Sequence, residues 1–511
     1  MIKSKTSQNH QSGKLLIHFI YHDDVVYAYD AYSNQILKLD NQEHIILSGL
    51  SSGLSNEAIA QQLKKDLPDT DPTTSIENFL TQAKELGVFQ PVPKRKVAPP
   101  PPLKDIELQL ANHMDTLTLE VTQDCNYRCK YCAFTGLHDE IRDHNQHVMS
   151  MDTAKAAIDF FLPRTGHASG DLSFSFYGGE PLLAADTIRG VIEYVKTVVP
   201  DKPTSFHLTT NGAALNNPNV RKLLAENRIS IMVSVDGPQR IHDAFRMTRT
   251  GKPTFKLIER GLTSLLAEYP EYYSSLVSIN SVMVSNEFYD EIVEFFNEWP
   301  LSKAMRDDSI RINGVDTYDT KELMNLLSTH APQPTHRSSE EKSSRQLFLE
   351  NRFQNKLPDD GLDKFHGDMM VRLAQRGLGP ISNHVEPSGY CMPGTRKLFV
   401  SVDGNLEMCE KTSGTMSIGS LSEGINTNRI HEILASMHDL WTEGCSACTA
   451  QRFCGSCPAL IAKPNGALSP ARFRESCHIH QASFIPALED FVRISHTNPD
   501  YLEMLNNVIV T

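Results

Sequence analysis

The ten cysteines of this 511-residue chain lie in two groups. Three fall between positions 125 and 132 and seven between 391 and 477, whereas 133–390 contains none. This count is too low for a disulfide scaffold. In a chain without a secretion signal, bunched cysteines are typical of metal or cluster ligands. The first constraint on the fold is therefore that it brings thiols together around metal.

Length and composition exclude several classes of protein. A chain of 511 residues predicts two to four domains, and 40% hydrophobic with 22% charged residues is typical of a folded protein. The net charge of -13 disfavours nucleic acid as a partner, since such binding needs a basic surface. No apolar run reaches the roughly 18 residues of a membrane span, and the polar segment Met1–Lys14 lacks the apolar core of a signal peptide. We therefore expect a cytoplasmic enzyme that contacts no membrane.

Residues 1–90 predict a small domain with the element order β-β-β-α-α-α. Ser55 is a predicted helix N-cap, and Gly53 and Gly87 stand where helices should end. The predicted strands are Lys14–Ile20, Val25–Asp30 and Gln35–Leu39, and the predicted helices are Gln42–Leu50, Ser55–Lys65 and Thr74–Leu86. Residues 91–112 begin with a proline-rich run and predict a semi-rigid linker, with a polyproline ligand as the alternative.

From residue 113 the pattern changes to alternating strands and helices. The predicted strands are Leu117–Val121, Leu172–Phe176, Ser205–Leu208, Ile229–Val235, Leu276–Met283 and Ile310–Val315. The helices that follow them are Met151–Leu162, Thr187–Val199, Asn219–Glu226, Phe255–Glu268, Tyr289–Trp299 and Lys321–Leu327. Six β-α units predict a parallel sheet, open or barrel-like, which binds ligands at the carboxyl ends of its strands.

Unusual residues stand at those strand ends. The first strand leads into Cys125, Cys129 and Cys132, spaced CxxxCxxC, and Gly-Gly-Glu-Pro follows the second strand. Three thiolates on one short loop suit three irons of a 4Fe–4S cluster and leave the fourth iron open. Structural zinc takes four ligands, and no fourth cysteine is near. The loop thus favours a cluster, with zinc or chance spacing as the alternatives.

These motifs together resemble the radical S-adenosylmethionine (SAM) enzymes over about residues 113–317. The resemblance implies a partial (β/α)6 barrel of the TIM type. It also implies that SAM binds the open iron through its amino and carboxylate groups. One electron, from a donor such as flavodoxin or ferredoxin, then cleaves SAM to a 5′-deoxyadenosyl radical that abstracts a substrate hydrogen.

The resemblance also assigns SAM-binding residues. Gly178 and Gly179 allow close approach of the backbone, and Glu180 supplies an anion for the SAM ammonium. Ser234 and Arg246 match the pair that contacts the SAM carboxylate in the sulfatase-maturing branch. The aromatic expected beside the adenine is Tyr131. Taken singly, Gly-Gly-Glu-Pro is also a common loop, and Asp236-Gly237 is also an ordinary turn.

The second cysteine group contains two CxxC pairs, which by themselves suit a zinc ribbon. Beside a radical SAM core they resemble a SPASM domain, here residues 386–480, with two auxiliary 4Fe–4S clusters. The resemblance assigns auxiliary cluster I to Cys391, Cys409 and Cys457, and auxiliary cluster II to Cys445, Cys448, Cys454 and Cys477. The last pair has two intervening residues where the family usually has three, and no further cysteine follows Cys391 closely. Auxiliary cluster I would then have three cysteine ligands, one fewer than cluster II.

One residue and two segments complete the predicted organisation. Glu410 follows Cys409, at the position where sulfatase-maturing relatives carry an Asp general base; a structural carboxylate is the alternative. Residues 318–385 form a connecting segment. Residues 481–511 carry an amphipathic helix near Ala482–Arg493.

The N-terminal domain resembles the recognition element of ribosomal-peptide maturases, a winged-helix-like module that binds a leader peptide as an added β-strand. A free edge strand within Leu15–Asp30 would serve this purpose. A DNA-binding winged helix is the alternative, but Ser55–Lys65 offers only Lys64 and Lys65 as basic residues.

The sequence therefore predicts a radical SAM/SPASM maturase of a ribosomally made precursor peptide. The expected product is an intramolecular cross-link, with a thioether favoured over a carbon–carbon or ether bond. The alternatives are a formylglycine-forming or peptide-epimerising radical enzyme. A metal-binding winged-helix regulator without catalytic activity is the alternative of another class.

Overall fold

The computed structural model describes residues 13–506 with short gaps. The gaps are 93–94, 135–141, 167–169, 307–308, 316–320, 334–341, 355–361, 383, 386–390, 413, 415, 446–447, 456 and 464–465. Most of the segment Met1–Lys14 therefore lies outside the described residues, as does the start of the predicted SPASM domain. Among the described helices, none is long and apolar enough to cross a membrane.

The N-terminal domain has the predicted element order. Its elements are β1 Ile17–His22, β2 Val25–Asp30, β3 Gln35–Leu39, α1 Asn41–Ser51, α2 Asn56–Asp66 and α3 Pro72–Glu85. The strands form an antiparallel sheet in the order β1-β2-β3, so β1 and β3 are its edge strands. The Ser55 hydroxyl accepts a hydrogen bond from the amide of Ala58 and caps α2, as its position in the sequence predicts.

The central unit confirms the α/β fold class. Its strands are β5 Thr116–Thr122, β6 Leu172–Gly178, β7 Thr204–Thr210, β8 Ser230–Ser234, β9 Val277–Met283 and β10 Ile310–Gly314. All five neighbouring pairs are parallel and lie in chain order, as in the wall of a barrel. The helices of this unit are α5 Met151–Phe161, α6 Ala185–Val198, α7 Pro218–Glu226, α8 Gln239–Phe245, α9 Phe255–Glu268, α10 Pro270–Leu276, α11 Tyr289–Glu298 and α12 Pro300–Lys303.

The sheet buries one face more deeply than the other. In β6, Phe174 and Phe176 are buried, whereas Ser173, Ser175 and Tyr177 between them are partly exposed. Strands β7 and β9 show the same alternation. Because successive side chains in a strand point to opposite faces, the sheet has an apolar face in the core and a polar face that is less covered. The strand ends that carry the cysteine loop border this polar face.

The cysteine-rich segment extends the central sheet instead of folding apart from it. It contributes β12 Lys397–Val400, β13 Asn405–Glu407, β14 Ser417–Ser420 and β15 Gly424–Ile425. Strand β12 pairs in parallel with β5, giving the order β10-β9-β8-β7-β6-β5-β12-β13-β14-β15. The sequence did not predict these strands, because β12 is held by pairing with a strand far away along the chain. The predicted domain boundaries remain predictions.

The predicted linker 91–112 contains regular structure. The strand β4 Lys96–Val97 pairs with β11 His384–Val385, and α4 Leu103–Asn112 follows the prolines. Ile106 and Leu110 lie one turn apart on α4 and are buried in the main core, which explains why this stretch is helical. The abundance of proline before residue 103 hides this short amphipathic pattern.

The remaining helices surround the cysteine-rich segment. They are α13 Lys321–His330, α14 Ser344–Phe353, α15 Asp363–His366, α16 Asp368–Ala374, α17 Thr427–Gly444, α18 Pro458–Ile461, α19 Pro470–Thr497 and α20 Pro499–Asn506. The predicted helix near Ala482–Arg493 is the second half of α19, which starts earlier and carries Cys477 in its first half.

The N-terminal domain packs directly against this C-terminal region. Tyr29 of β2 shares a buried apolar cluster with Phe453 of the cysteine-rich segment and Phe484 of α19. The rings of Phe453 and Phe484 stack at 4.9 Å, and Phe484 meets Tyr29 edge-on at 5.7 Å. The domain is therefore seated on the same elements that carry several C-terminal cysteines.

Candidate active site

The CxxxCxxC loop leaves the carboxyl end of β5 and lies against the main core. Cys125 is buried, and Cys129 and Cys132 are partly exposed. The amide of Cys132 donates to the carbonyl of Cys129 at 3.1 Å, which turns the end of the loop back on itself. The structure thus places the three thiols on one compact loop at the strand end, where the sequence predicts them.

Burial raises the pKa of all three thiols. The pKa of Cys125 rises to about 11 and that of Cys129 to about 12, mainly because burial disfavours the thiolate. The pKa of Cys132 is raised for the same reason. The nearby Arg246 guanidinium opposes these shifts in each case. Without a metal these groups are neutral thiols, and the positive charge of iron is what would favour their thiolate form.

The two glycines after β6 lie against this loop. The amide of Gly179 donates to the carbonyl of Thr122 at 2.9 Å. A Cβ on Gly178 would stand 1.9 Å from that carbonyl oxygen, and one on Gly179 would stand 2.1 Å from the carbonyl oxygen of Asp124. Both positions therefore need glycine so that the two backbones can touch. This contact gives the glycines a role in placing Cys125, in addition to their predicted role of letting the backbone approach SAM closely.

Glu180 is buried, and its carboxylate holds a neighbouring strand end. It accepts hydrogen bonds from the amide of Asn211 at 2.6 Å, the hydroxyl of Thr210 at 2.7 Å and the amide of Leu182 at 3.1 Å. Burial raises the pKa of this carboxyl, while these donors and Arg246 lower it. Glu180 therefore ties the end of β6 to the end of β7 from a position close to the cysteine loop.

Tyr131 and Arg246 meet at a third, fully buried residue, Asp236. The Tyr131 hydroxyl donates to Asp236 at 2.5 Å, and Arg246 Nη1 donates to the Tyr131 hydroxyl at 2.5 Å. The Arg246 guanidinium lies 3.9 Å from the Asp236 carboxylate. Arg246 Nε is buried and has no hydrogen-bond partner among the residues that the structure describes. The network therefore holds a guanidinium whose buried Nε donor is still available.

His242 supports this network through hydrogen bonds. The Asp236 amide donates to His242 Nδ1 at 3.2 Å, and His242 Nε2 lies 3.0 Å from the Thr254 hydroxyl. That hydroxyl in turn donates to the Arg246 carbonyl at 2.9 Å. The sequence did not predict roles for Asp236 or His242, because Asp-Gly is an ordinary turn signal and the His partners lie in other elements.

Ser234 ends β8 close to this network and is buried. Its predicted contact with the SAM carboxylate stays a prediction.

The structure brings together four C-terminal cysteines assigned to auxiliary cluster II. The Cys445 thiol interacts electrostatically with Cys477, Cys448 and Cys454, and burial raises its pKa to about 12. Cys477 reaches this group from α19, and the Gln481 amide donates to Cys448 Sγ at 3.7 Å. Two distant pieces of sequence therefore converge here.

Two of the three thiols assigned to auxiliary cluster I interact electrostatically. They are those of Cys409 and Cys457, and burial raises the pKa of Cys409 to about 12. The third residue, Cys391, is exposed. Glu410 forms a 2.6 Å ion pair with Lys397 of β12. Its predicted role as a general base remains a prediction.

The cysteine loop fits a cluster in its donor set and its surroundings. Three thiols on one loop, with a buried guanidinium beside them, match a cluster that binds an anionic ligand on its open iron. Within the described ranges, no group of three or more His, Cys, Asp or Glu side chains is placed so that it could hold a metal ion.

Comparison with known proteins finds matches to the central unit. Residues 119–298 match the family model of the Radical SAM superfamily. The radical SAM cyclopropyl synthase TigE of Paramaledivibacter caminithermalis is 27% identical over 207 residues, which are 38% of this chain and 42% of TigE. The serine-type anaerobic sulfatase-maturating enzyme of Bacteroides thetaiotaomicron is 27% identical over 175 residues, 34% of this chain and 40% of that enzyme. The chain thus spans about two fifths of the length of these relatives.

Solved structures match more of the chain at lower identity. The structure of anSMEcpe with bound AdoMet superposes with a TM-score of 0.51 and 20% identity, covering 77% of this chain and 96% of the other. The structure of anSMEcpe with bound AdoMet and the Kp18Cys peptide has a TM-score of 0.51 and 18% identity, covering 77% and 99%. At these identities the likeness shows the fold alone.

Proposed function

We propose that this chain is a radical SAM enzyme that modifies a peptide. The observation that carries the proposal is the loop of Cys125, Cys129 and Cys132, whose three thiols lie at the carboxyl end of β5 inside the matched region 119–298. The anSMEcpe structures, which share the fold, contain AdoMet and in one case a peptide. A cysteine loop beside a buried guanidinium supports the same chemistry in this chain.

The three cysteines would hold a 4Fe–4S cluster. With SAM bound and one electron from a donor such as flavodoxin or ferredoxin, such a cluster would supply the reductive cleavage of SAM that makes radical hydrogen abstraction from a substrate possible. Gly178 and Gly179 place the loop by backbone contact, and Glu180 fixes the strand end beside it. The polar face of the sheet borders the same strand ends and would receive the substrate.

Arg246 would bind the SAM carboxylate. Its guanidinium is already oriented by Tyr131 and Asp236, and its Nε is a buried donor without a partner in the described part of the chain. A guanidinium whose orientation is set in advance loses little entropy when it binds a carboxylate.

The test replaces Cys125, Cys129 and Cys132 with Ala and measures 5′-deoxyadenosine after anaerobic reconstitution with SAM and dithionite. We expect the product to fall to background, because a chain without the loop thiols cannot hold the cluster. The matched control replaces Cys445 and Cys448 with Ala, which should leave SAM cleavage intact. SAM cleavage at the wild-type rate by the triple variant would contradict the proposal.

The substrate would be a precursor peptide whose leader adds a strand to the N-terminal sheet. Edge strands β1 and β3 each pair with β2 on one side only within that three-stranded sheet. The edge strand predicted within Leu15–Asp30 corresponds to β1, since β2 is paired on both sides. An exposed edge offers unpaired backbone donors and acceptors to an incoming peptide.

The modification would be an intramolecular cross-link, with a thioether favoured. Cys391, Cys409 and Cys457 are the three cysteines assigned to auxiliary cluster I, and an iron that they leave open would accept a substrate thiolate. Mass spectrometry of the treated precursor tests this: a cross-link removes two hydrogens and blocks fragmentation inside the ring. An unchanged mass would exclude a cross-link and would favour epimerisation.

Formylglycine formation is the second candidate, because anaerobic sulfatase-maturating enzymes are among the relatives. Oxidation of a serine also removes two hydrogens but leaves a linear chain with an aldehyde. Full fragmentation between all residues, together with reaction with a hydrazide reagent, would therefore support this candidate over a cross-link.

A further inference from the structure

A histidine outside every predicted motif lies beside the cysteine loop. His144 Nε2 is 3.7 Å from Cys132 Sγ, within hydrogen-bond range for sulfur. The residue is partly buried, and its ring meets the ring of Phe134 edge-on at 5.7 Å. His144 is thus held in place next to the last thiol of the loop.

The first thiol of the loop has its own donors. Cys125 Sγ accepts from the amide of Tyr127 at 3.4 Å and from Asn211 Nδ2 at 3.9 Å. Asn211 is buried, and its backbone amide donates a hydrogen bond to the Glu180 carboxylate at 2.6 Å. Cys125 and Cys132 therefore each have a nitrogen of a side chain within reach, from two different segments.

Donors at the sulfurs of an iron–sulfur cluster change its reduction potential. Reduction adds a negative charge to the cluster, and an N–H that points at a ligand sulfur stabilises that charge. A neutral imidazole carries one N–H on one of its two nitrogens and can supply such a bond. In contrast, a leucine of similar volume at the same position could not.

We propose that His144 is a positioning residue that donates a hydrogen bond to the Cys132 sulfur and raises the reduction potential of the cluster held by Cys125, Cys129 and Cys132. This inference rests on the proposed function, since it requires that cluster. It assigns a role to His144 that neither the cysteine spacing nor the SAM-binding motifs indicate.

The test is an anaerobic redox titration of the reconstituted full-length protein, followed by electron paramagnetic resonance. Only the signal that changes when SAM is added is analysed, which separates this cluster from any other. We expect His144→Leu to shift the midpoint potential to a more negative value. His144→Gln keeps a side-chain N–H and should stay closer to the wild type.

His147→Leu is the matched control, because His147 is exposed and it is the backbone carbonyl of His147 that accepts hydrogen bonds from Thr122 and Gln123. A midpoint potential of His144→Leu equal to that of His147→Leu would overturn the inference. If His144→Leu takes up no iron, His144→Gln is compared with a His144→Ala variant that does take up iron. A midpoint potential of His144→Gln near that of the wild type supports the inference. A midpoint potential of His144→Gln equal to that of His144→Ala overturns it. A wild-type protein without a SAM-sensitive signal would instead refute the proposed function.

Discussion

One carboxylate, that of Asp236, orients two of the predicted SAM-binding residues, Tyr131 and Arg246. It accepts from the Tyr131 hydroxyl and from the amide of Val282, and it compensates the charge of Arg246. Burial raises the pKa of Asp236, and the nearby Arg246 opposes that shift. In a buried site, the removal of one charge of such a pair leaves the other uncompensated.

We predict that Asp236→Asn weakens SAM binding by about tenfold or more, which corresponds to about 1.4 kcal/mol. Asparagine keeps the shape of the side chain but loses the charge that orients Arg246. The measurement is the equilibrium dissociation constant of SAM for the cluster-loaded protein.

Asp159→Asn is the control for this prediction. Asp159 also accepts from a tyrosine hydroxyl, that of Tyr194 at 2.8 Å, but this pair is exposed on the outer helices α5 and α6. Equal SAM affinity in the Asp236 and Asp159 variants would show that Asp236 does not position Arg246.

Between elements, a close backbone contact at the site joins the end of β6 to the end of β5. Gly178 has a φ of +132° and its backbone touches Thr122, the last residue of β5. A side chain here would have to displace backbone atoms, which cannot rotate away as a flexible side chain can. The relative position of these two strand ends therefore depends on the absence of a Cβ atom at position 178.

We predict that Gly178→Ala lowers the free energy of unfolding by at least about 3 kcal/mol, from the strained φ and the clash together. The urea midpoint and the iron content after reconstitution are the measurements, and both should fall.

Gly251→Ala separates the two causes, because Gly251 also has a positive φ, +75°, but has open space around its Cβ position. We expect that control to cost only about 1 kcal/mol. Equal effects of the two substitutions would exclude the backbone contact as the reason for glycine at position 178.

At the scale of the whole molecule, the N-terminal domain is fastened to the cysteine-rich segment. Arg452 donates to the carbonyl of Tyr32 at 2.9 Å and to that of Gly379 at 2.6 Å. The side chain of Asn34 donates to the carbonyl of Gly377 at 2.9 Å. Together with the stacked rings of Phe453 and Phe484, these bonds set where the N-terminal sheet lies relative to the cysteine-rich segment.

We predict that Arg452→Ala weakens the attachment of the N-terminal domain to the cysteine-rich segment. The loss of two charge-assisted hydrogen bonds, worth about 2 kcal/mol together, should speed local opening by about 30-fold. Hydrogen exchange of the amides of residues 29–34 measures the change. Arg474→Ala, an exposed arginine on α19, is the control, and similar exchange in both variants would contradict the prediction.

Much of the fold follows from local pattern. The predicted strand Leu117–Val121 lies within the observed β5 Thr116–Thr122, and the predicted helix Phe255–Glu268 coincides with α9. These elements are predictable because the spacing of apolar residues reports which face of a strand or helix is buried. The CxxxCxxC loop was predictable for a similar reason, since all three thiols lie within eight residues.

The sequence by itself therefore determined the element order of the N-terminal domain, the parallel core and the cysteine groups as candidate ligands. Only the tertiary structure placed β12 beside β5, where the amide of Val402 reaches Glu120 across 282 positions. Only the tertiary structure brought His144 to Cys132 and Asp236 to Arg246, and seated the N-terminal domain. The physical reason is that these contacts join residues that carry no local periodicity in common. Each of them depends on how complete elements pack together.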